Sequence, residues 1–351
     1  MSKDFIKFLN ASPSIDLRSP KEFKKGTIPN SVNLPILNDD EYHEVGKIFR
    51  ANGRRAAIDY GYKIISGKKK TNRIDSWIKY INNNNNCSIF CYRGGLRSKI
   101  AYEWINSKGV SVKRLEFGYK KYRQKILLMH QYIKNYAERW IILGGLTGSG
   151  KTDIIKNYKC SIDLEFIANH RGSAFGKTGI DQPSQSNFEN LVSEQYLLNQ
   201  KSKFLLMEDE SRFIGKVQLP GKWYDKMQVS EIILLESDLE ERAKRIYNNY
   251  IKEPGNSKLS KIELQSYYLF ALSKIRKRLG NNHYKTIKDI LNNAFENDDE
   301  NMHKMWVGIL LDKYYDRMYK YKLNLREKQI IFRGRELECI DFISNLIGKE
   351  N

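Results

Sequence analysis

The segment Gly145-Leu146-Thr147-Gly148-Ser149-Gly150-Lys151-Thr152 restricts this chain more than any other stretch. Its glycines allow backbone angles that turn N–H groups inward, and a lysine and a threonine follow directly. The apolar run Trp140-Ile141-Ile142-Leu143 leads into it, and Asp153–Tyr158 can open a helix behind it. Strand, glycine loop and helix in that order make a phosphate cradle, or P-loop, which belongs in an α/β domain. Gly145, Thr147, Gly148, Ser149, Gly150, Lys151 and Thr152 are therefore expected around a diphosphate. Lys151 would neutralise its charge, and the Thr152 hydroxyl would ligate Mg²⁺.

Three polar groups accompany the cradle. Phe204-Leu205-Leu206-Met207 ends on Glu208-Asp209-Glu210, where Asp209 is the expected second Mg²⁺ ligand, directly or through water. Arg212 follows, able to pair with these acids or to touch a leaving diphosphate. The loop Asn169–Gly176 sets His170 beside Arg171, which can contact a phosphate or a base or simply form a turn.

A different chemistry is written at Phe90-Cys91-Tyr92-Arg93-Gly94-Gly95-Leu96-Arg97-Ser98. A cysteine between a strand and a helix start sits among converging N–H groups, and all of these favour thiolate over thiol. Gly94 and Gly95 let the backbone curl around Cys91, and Arg93 and Arg97 add positive charge. The loop can hold an oxyanion such as thiosulfate, phosphate or selenophosphate against the sulfur. Cys87 reads as core, and Cys160 and Cys339 are isolated. Four cysteines in 351 residues make no disulfide framework, so a reduced, cytoplasmic setting is expected.

Apolar runs at Ser14–Leu17, Ser31–Leu34 and Cys87–Phe90 alternate with helical patterns at Arg54–Ser66 and Arg73–Ile81. This predicts a parallel-sheet domain over 1–114. A basic connecting helix over 115–139, a P-loop domain over 140–290 and a helical extension over 291–351 follow. No run approaches the roughly 18 apolar residues of a membrane span, and Met1–Phe5 lacks a signal peptide's apolar block.

The formal charge of +20 is uneven. Residues 1–139 hold 28 Lys+Arg and 12 Asp+Glu, against 33 and 29 in the remainder, so an anionic partner is expected on the first part. Lys68, Lys69, Lys70 and Arg73 form one candidate surface for nucleic-acid phosphates. Lys120, Lys121 and Arg123 form another, interleaved with Tyr119 and Tyr122, for which core packing is the plainer role.

Asp16-Leu17-Arg18-Ser19-Pro20-Lys21-Glu22-Phe23 and Gly26-Thr27-Ile28-Pro29-Asn30-Ser31-Val32-Asn33-Leu34-Pro35 resemble the opening signature of a rhodanese domain. Thr27 stands where that family usually has His, and Asn30 where it usually has Gly. The P-loop, Gly46–Ile65, Gly118-Tyr119-Lys120, Asp163-Leu164-Glu165, Gln182–Gln185, Phe188-Glu189-Asn190, Glu208–Arg212 and Tyr314-Tyr315-Asp316 extend the match over nearly the whole chain. Together they resemble the tRNA 2-selenouridine synthase family, with Tyr92 for its usual Trp and Asp316-Arg317 for its usual Asp-Pro.

The resemblance implies a rhodanese-like domain followed by a P-loop NTPase-like α/β domain. It implies a two-step reaction on wobble 2-thiouridine in tRNAs for Lys, Glu and Gln. Geranyl diphosphate would first S-geranylate the base, and selenophosphate would then supply selenium. Cys91 would carry selenium or attack the activated base, and both roles stay open. The competing reading is an ATP-dependent kinase or NTPase with a rhodanese-like sulfurtransferase or regulatory module.

Overall fold

The computed structural model describes residues 12–135, 138–252 and 259–348. Met1–Phe5 and residues 136 and 137 of the predicted connecting helix lie outside them. The chain folds as two compact units. The first holds residues up to Gln131 together with Ser184–Leu198; the second holds Tyr132–Pro183 and the chain from Asn199 onward.

The first unit is a parallel sheet of β1 (Ser14–Asp16), β2 (Ser31–Asn33), β3 (Ser88–Phe90) and β4 (Lys113–Arg114), in the order β2-β1-β3-β4. Around it run α1 (Pro20–Lys25), α2 (Asp39–Ile64), α3 (Gly67–Asn82), α4 (Leu96–Asn106) and α5 (Gly118–Tyr132). Ile15, Leu17, Ile89 and Trp77 meet in its core. The predicted helix Arg54–Ser66 is the second half of α2. Asn38 and Glu41 start α2 with a reciprocal capping box, and Gly53 at φ 80° breaks it. α5 starts at Gly118 rather than at 115, because Gly118 has a left-handed φ of 57° that no helix continues through. Its apolar face, Tyr122, Ile126 and Met129, is buried.

The helix Gln185–Leu198 also belongs to this unit. Asn190 Nδ2 donates to the Thr27 carbonyl at 2.7 Å, and the Asn187 amide oxygen accepts from Thr27 N–H at 2.8 Å. Phe188-Glu189-Asn190, placed by sequence among the P-loop segments, thus serves the rhodanese-like unit.

The second unit holds a five-stranded parallel sheet of β5 (Arg139–Gly145), β6 (Ser161–Ile162), β7 (Phe204–Glu208), β10 (Glu231–Leu235) and β11 (Ile330–Gly334). Its order is β11-β10-β5-β7-β6, and a hairpin of β8 (Phe213–Ile214) and β9 (Val217–Gln218) stands apart. The chain after Ser237 is mostly helical, as expected, and it also supplies the edge strand β11. That strand escaped the sequence pattern because its exposed side also carries an apolar residue, Ile331, so Ile330-Ile331-Phe332 shows no alternation. A helical core of Leu272, Ile287, Leu291, Trp306 and Leu310 lies within this unit. Among the described residues no helix is long and apolar enough to cross a membrane.

Candidate functional site

Two sites form at the carboxyl ends of central parallel strands, where ligands of such sheets bind. In the first unit Cys91 follows β3 and is 3% exposed. Its carbonyl accepts from Tyr119 N–H at 3.0 Å, and the Tyr92 carbonyl accepts from Lys120 N–H at 2.8 Å. The start of α5 therefore clips the cysteine loop. Two glycines make the clip possible. A Cβ at Gly94 (φ 66°) would overlap the Glu116 carbonyl, and one at Gly118 would overlap that of Cys91. Gly95 has an ordinary φ and precedes α4 as its cap.

The Cys91 Sγ lies 3.3 Å from the hydroxyl of Ser98, in the first turn of α4. Ser98 donates in turn to the Gly95 carbonyl at 3.1 Å. The hydroxyl rotates freely enough to accept from a thiol or donate to a thiolate. Arg97 is held by Glu22 through two bonds of 2.5 and 3.0 Å. Burial lowers its proton affinity, but the Glu22 carboxylate outweighs this and raises it. Arg93 is exposed, its guanidinium 6.0 Å from the Tyr92 ring centre.

Behind the loop Arg18 forms a buried pair with Asp16, donates to the Gly26 carbonyl at 2.7 Å and lies 4.1 Å over the Tyr119 ring. Thr27, in the position where rhodaneses usually carry His, donates to Asp16 at 2.8 Å.

We expect Gly118→Ala to destabilise the protein by about 1–3 kcal/mol from the left-handed φ alone. The loop must also move, so alkylation of Cys91 by a small thiol reagent should speed up. An unchanged melting temperature and alkylation rate would show that the clip does not hold the loop.

The second site surrounds the P-loop between β5 and the helix Lys151–Ile155. Gly148 (φ 83°) and Gly150 (φ 98°) leave room for Ile246 and the Arg245 guanidinium. Arg245 donates to the carbonyls of Gly148 and Ser149 at 3.1 and 2.8 Å. Arg242 reaches the Thr147 carbonyl at 3.3 Å and is held by two 2.8 Å bonds to buried Asp316. The Tyr319 hydroxyl accepts from Gly145 N–H at 2.7 Å. Lys151 Nζ rests on the carbonyls of Gly145 and Leu146 at 2.9 and 3.5 Å.

Acids gather beside Thr152, whose hydroxyl donates to Glu165 at 3.1 Å. Glu208, the last residue of β7, is fully buried and its Oε1 has no partner. Burial, then the charge of Glu165, pushes the Glu208 carboxyl well above its ordinary range. The same two causes raise Glu210 to about 8.

No three acidic, His or Cys side chains converge on one point among the described residues. Mg²⁺ needs only one or two carboxylates beside phosphate oxygens and water. Thr152, Glu165 and the partnerless Oε1 of Glu208 fit that need. Asp209, the expected ligand, is instead committed to Arg326 at 2.7 Å.

His170 and Arg171 line the same cavity, of about 860 Å³, as Lys151, Thr152 and Glu165. The His170 Nδ1 is buried without a partner, and burial lowers its proton affinity. Arg171 lies 4.5 Å over the Tyr250 ring. Arg212 is not part of the cavity wall. With the Gln218 amide oxygen turned toward it, its Nε and Nη2 lie 2.7 and 3.0 Å away.

Residues 138–349 match the family model described as tRNA 2-selenouridine synthase AAA domain, and residues 2–125 match the rhodanese-like domain. A protein of Shewanella sp. MR-7 named tRNA 2-selenouridine synthase is 38% identical, over 96% of this chain and 95% of its own. Proteins of the same name from Shewanella frigidimarina and Shewanella oneidensis are 38% and 36% identical, over 93% and 97% of this chain and 92% and 93% of theirs. The chain belongs to the tRNA 2-selenouridine synthase family.

Among the basic residues proposed to meet RNA in this family member, several are used inside the fold. Arg73 pairs with Glu41 at 2.5 Å and donates to the Ile36 carbonyl, and Lys69 reaches Glu41 at 3.0 Å. Arg123 turns inward to Asn190, at 2.9 Å, and to Glu189. Lys70 lies 4.5 Å over the Trp104 ring. Lys68, Lys120 and Lys121 are exposed. Tyr119 and Tyr122 are buried, which is core packing. Sequence reasoning missed Ser98, Glu208, Arg242 and Arg245. Only the last pair left a readable signal, two arginines one helical turn apart behind a strand.

Proposed function

We propose that the protein converts wobble 2-thiouridine of tRNAs for Lys, Glu and Gln to 2-selenouridine in two steps, in the cytoplasm. In the first, the thiocarbonyl sulfur attacks C1 of geranyl diphosphate, the C–O bond breaks and diphosphate leaves. In the second, selenium from selenophosphate replaces the geranyl thiol at C2. The names of the relatives support the overall conversion. The two-step division rests on one observation: the chain carries a clipped thiol in one unit and a phosphate loop in the other.

In the first step Lys151 moves from the loop carbonyls onto the departing diphosphate, where charge develops. Arg171 and the N–H groups of the loop supply further donors. Mg²⁺ held at Thr152, Glu165 and Glu208 would neutralise diphosphate charge. Buried His170, held neutral, can accept a proton or hydrogen-bond the base. In the second step the Cys91 thiolate attacks C2 of the geranylated base and expels the geranyl thiol; the selenium of selenophosphate then displaces Cys91 at C2, and hydrolysis of its Se–P bond releases phosphate. Ser98 steadies the thiolate, and the exposed Arg93 attracts the anionic donor. The exposed Lys68, Lys120 and Lys121 supply salt-sensitive attraction for tRNA phosphates.

The test is to incubate the protein with 2-thiouridine tRNA and geranyl diphosphate, with and without selenophosphate, and to analyse the nucleosides by mass spectrometry. Geranylated nucleoside without selenophosphate, and selenouridine with it, is the expected result. Mg²⁺-dependent ATP turnover indifferent to tRNA, with no modified nucleoside, would instead favour the kinase reading.

A further inference from the structure

The phosphate cavity continues into a second space that a phosphate has no use for. Past Thr147, Ser173, Ile246, Tyr250 and Tyr315, which line both spaces, lies an annex of about 30 Å³. Its far walls are Phe175, Tyr268, Trp306, Val307, Leu310 and Leu311, all buried. The three aromatic rings stand 5.9 to 6.2 Å apart, centre to centre.

The polar ends of these side chains are occupied, except for the Tyr315 hydroxyl, which is buried without a partner. The Tyr250 hydroxyl donates to the Arg171 carbonyl at 3.4 Å, and that of Tyr268 to the Tyr250 carbonyl at 2.5 Å. Trp306 Nε1 donates to His303 at 3.1 Å. What the far walls present to the annex is carbon. A nucleobase entering it would lose its hydrogen bonds to water and find in return only the Tyr315 and Ser173 hydroxyls at the side shared with the main cavity. A hydrocarbon loses nothing.

We infer that this annex, with the apolar wall leading to it, is the subsite for the distal end of the substrate's isoprenoid chain and limits its length. The inference rests on the prenyl diphosphate reading above. The diphosphate lies on the P-loop, the first carbons run along Ile246, Tyr250 and Met318 within the main cavity, and the chain end reaches Val307 and Leu311. The main cavity has room for the head and most of a ten-carbon chain, and the small annex sets the limit. The C-terminal helical part thus supplies substrate selectivity to a loop that is selective only for phosphate.

Affinities of inorganic diphosphate, dimethylallyl, geranyl and farnesyl diphosphate for the full chain test this by calorimetry. Each buried methylene is worth about fourfold in affinity. Val307→Phe, which fills the annex, should weaken geranyl diphosphate about tenfold while leaving inorganic and dimethylallyl diphosphate within about twofold. Leu311→Ala, which enlarges it, should shift preference toward farnesyl diphosphate about tenfold.

Inorganic diphosphate reports whether each variant is folded, and where Val307→Phe fails to bind it, Leu311→Ala decides the question. A parent protein that gains affinity from diphosphate to geranyl diphosphate, with both chain-length preferences unmoved in the variants, overturns the annex. A parent that shows no such gain rejects the prenyl reading itself.

Discussion

Replacing Cys91 by serine is expected to lower selenium incorporation by about 1000-fold or more while S-geranylation stays within about twofold. The substitution preserves volume at a site that is 3% exposed, and the Ser98 partner accepts a hydroxyl as readily as a thiol. Folding should therefore be almost unaffected. What disappears is the nucleophile: a serine hydroxyl does not ionise near neutral pH, and it is a poor attacking and leaving group at C2 compared with a thiolate. Geranylated tRNA should accumulate in the variant, read by mass spectrometry of nucleosides. Equal loss of both steps would reject the division of labour between the units.

Lys151→Ala is expected to give the opposite pattern. Geranylation should fall by about 100- to 1000-fold, the usual loss when one donor to developing charge is removed. The affinity for inorganic diphosphate should fall with it. Lys151 donates only to two loop carbonyls, but its charge also faces the buried carboxyls of Glu165 and Glu210. Its removal raises their proton affinity further, so a proton rather than an uncompensated charge replaces it, and the melting temperature should fall more at high pH than at low pH. Pre-geranylated tRNA bypasses the defect, so its selenation should remain at the parent rate. Loss of that bypass would mean that Lys151 acts in both steps, or that the first site holds the second reaction.

The loops that carry this chemistry were legible because each is a short, contiguous string. Gly145–Thr152 and Cys91–Ser98 bring their own glycines, charges and nucleophile, and the strand before and the helix after can be read from neighbouring residues. The partners of those loops were not legible. Glu208 rather than Asp209 stands beside Thr152 because β7 ends at Glu208 and the residue after it turns to Arg326. β7 is buried throughout, so no hydrophobic alternation marks which side is which. Arg123 looks like a surface cation on a basic helix until the helix Gln185–Leu198, more than sixty residues later, comes back to cover it.

The charge imbalance has the same history. The excess of Lys and Arg over 1–139 is a property of the string, but Arg18, Arg73, Arg97 and Arg123 are consumed by Asp16, Glu41, Glu22 and Glu189. What remains for an anionic partner is a smaller set that includes Lys68, Lys120 and Lys121. By itself the sequence determined that the protein has a thiol loop, a phosphate loop and the parallel sheets that present them, because backbone geometry at glycines and strand ends is a local matter. Only the tertiary structure decided which acids meet Thr152, which arginines brace the P-loop carbonyls and which carbon walls extend the cavity. Those contacts join residues up to about 170 positions apart, and chain packing rather than local preference brings them together.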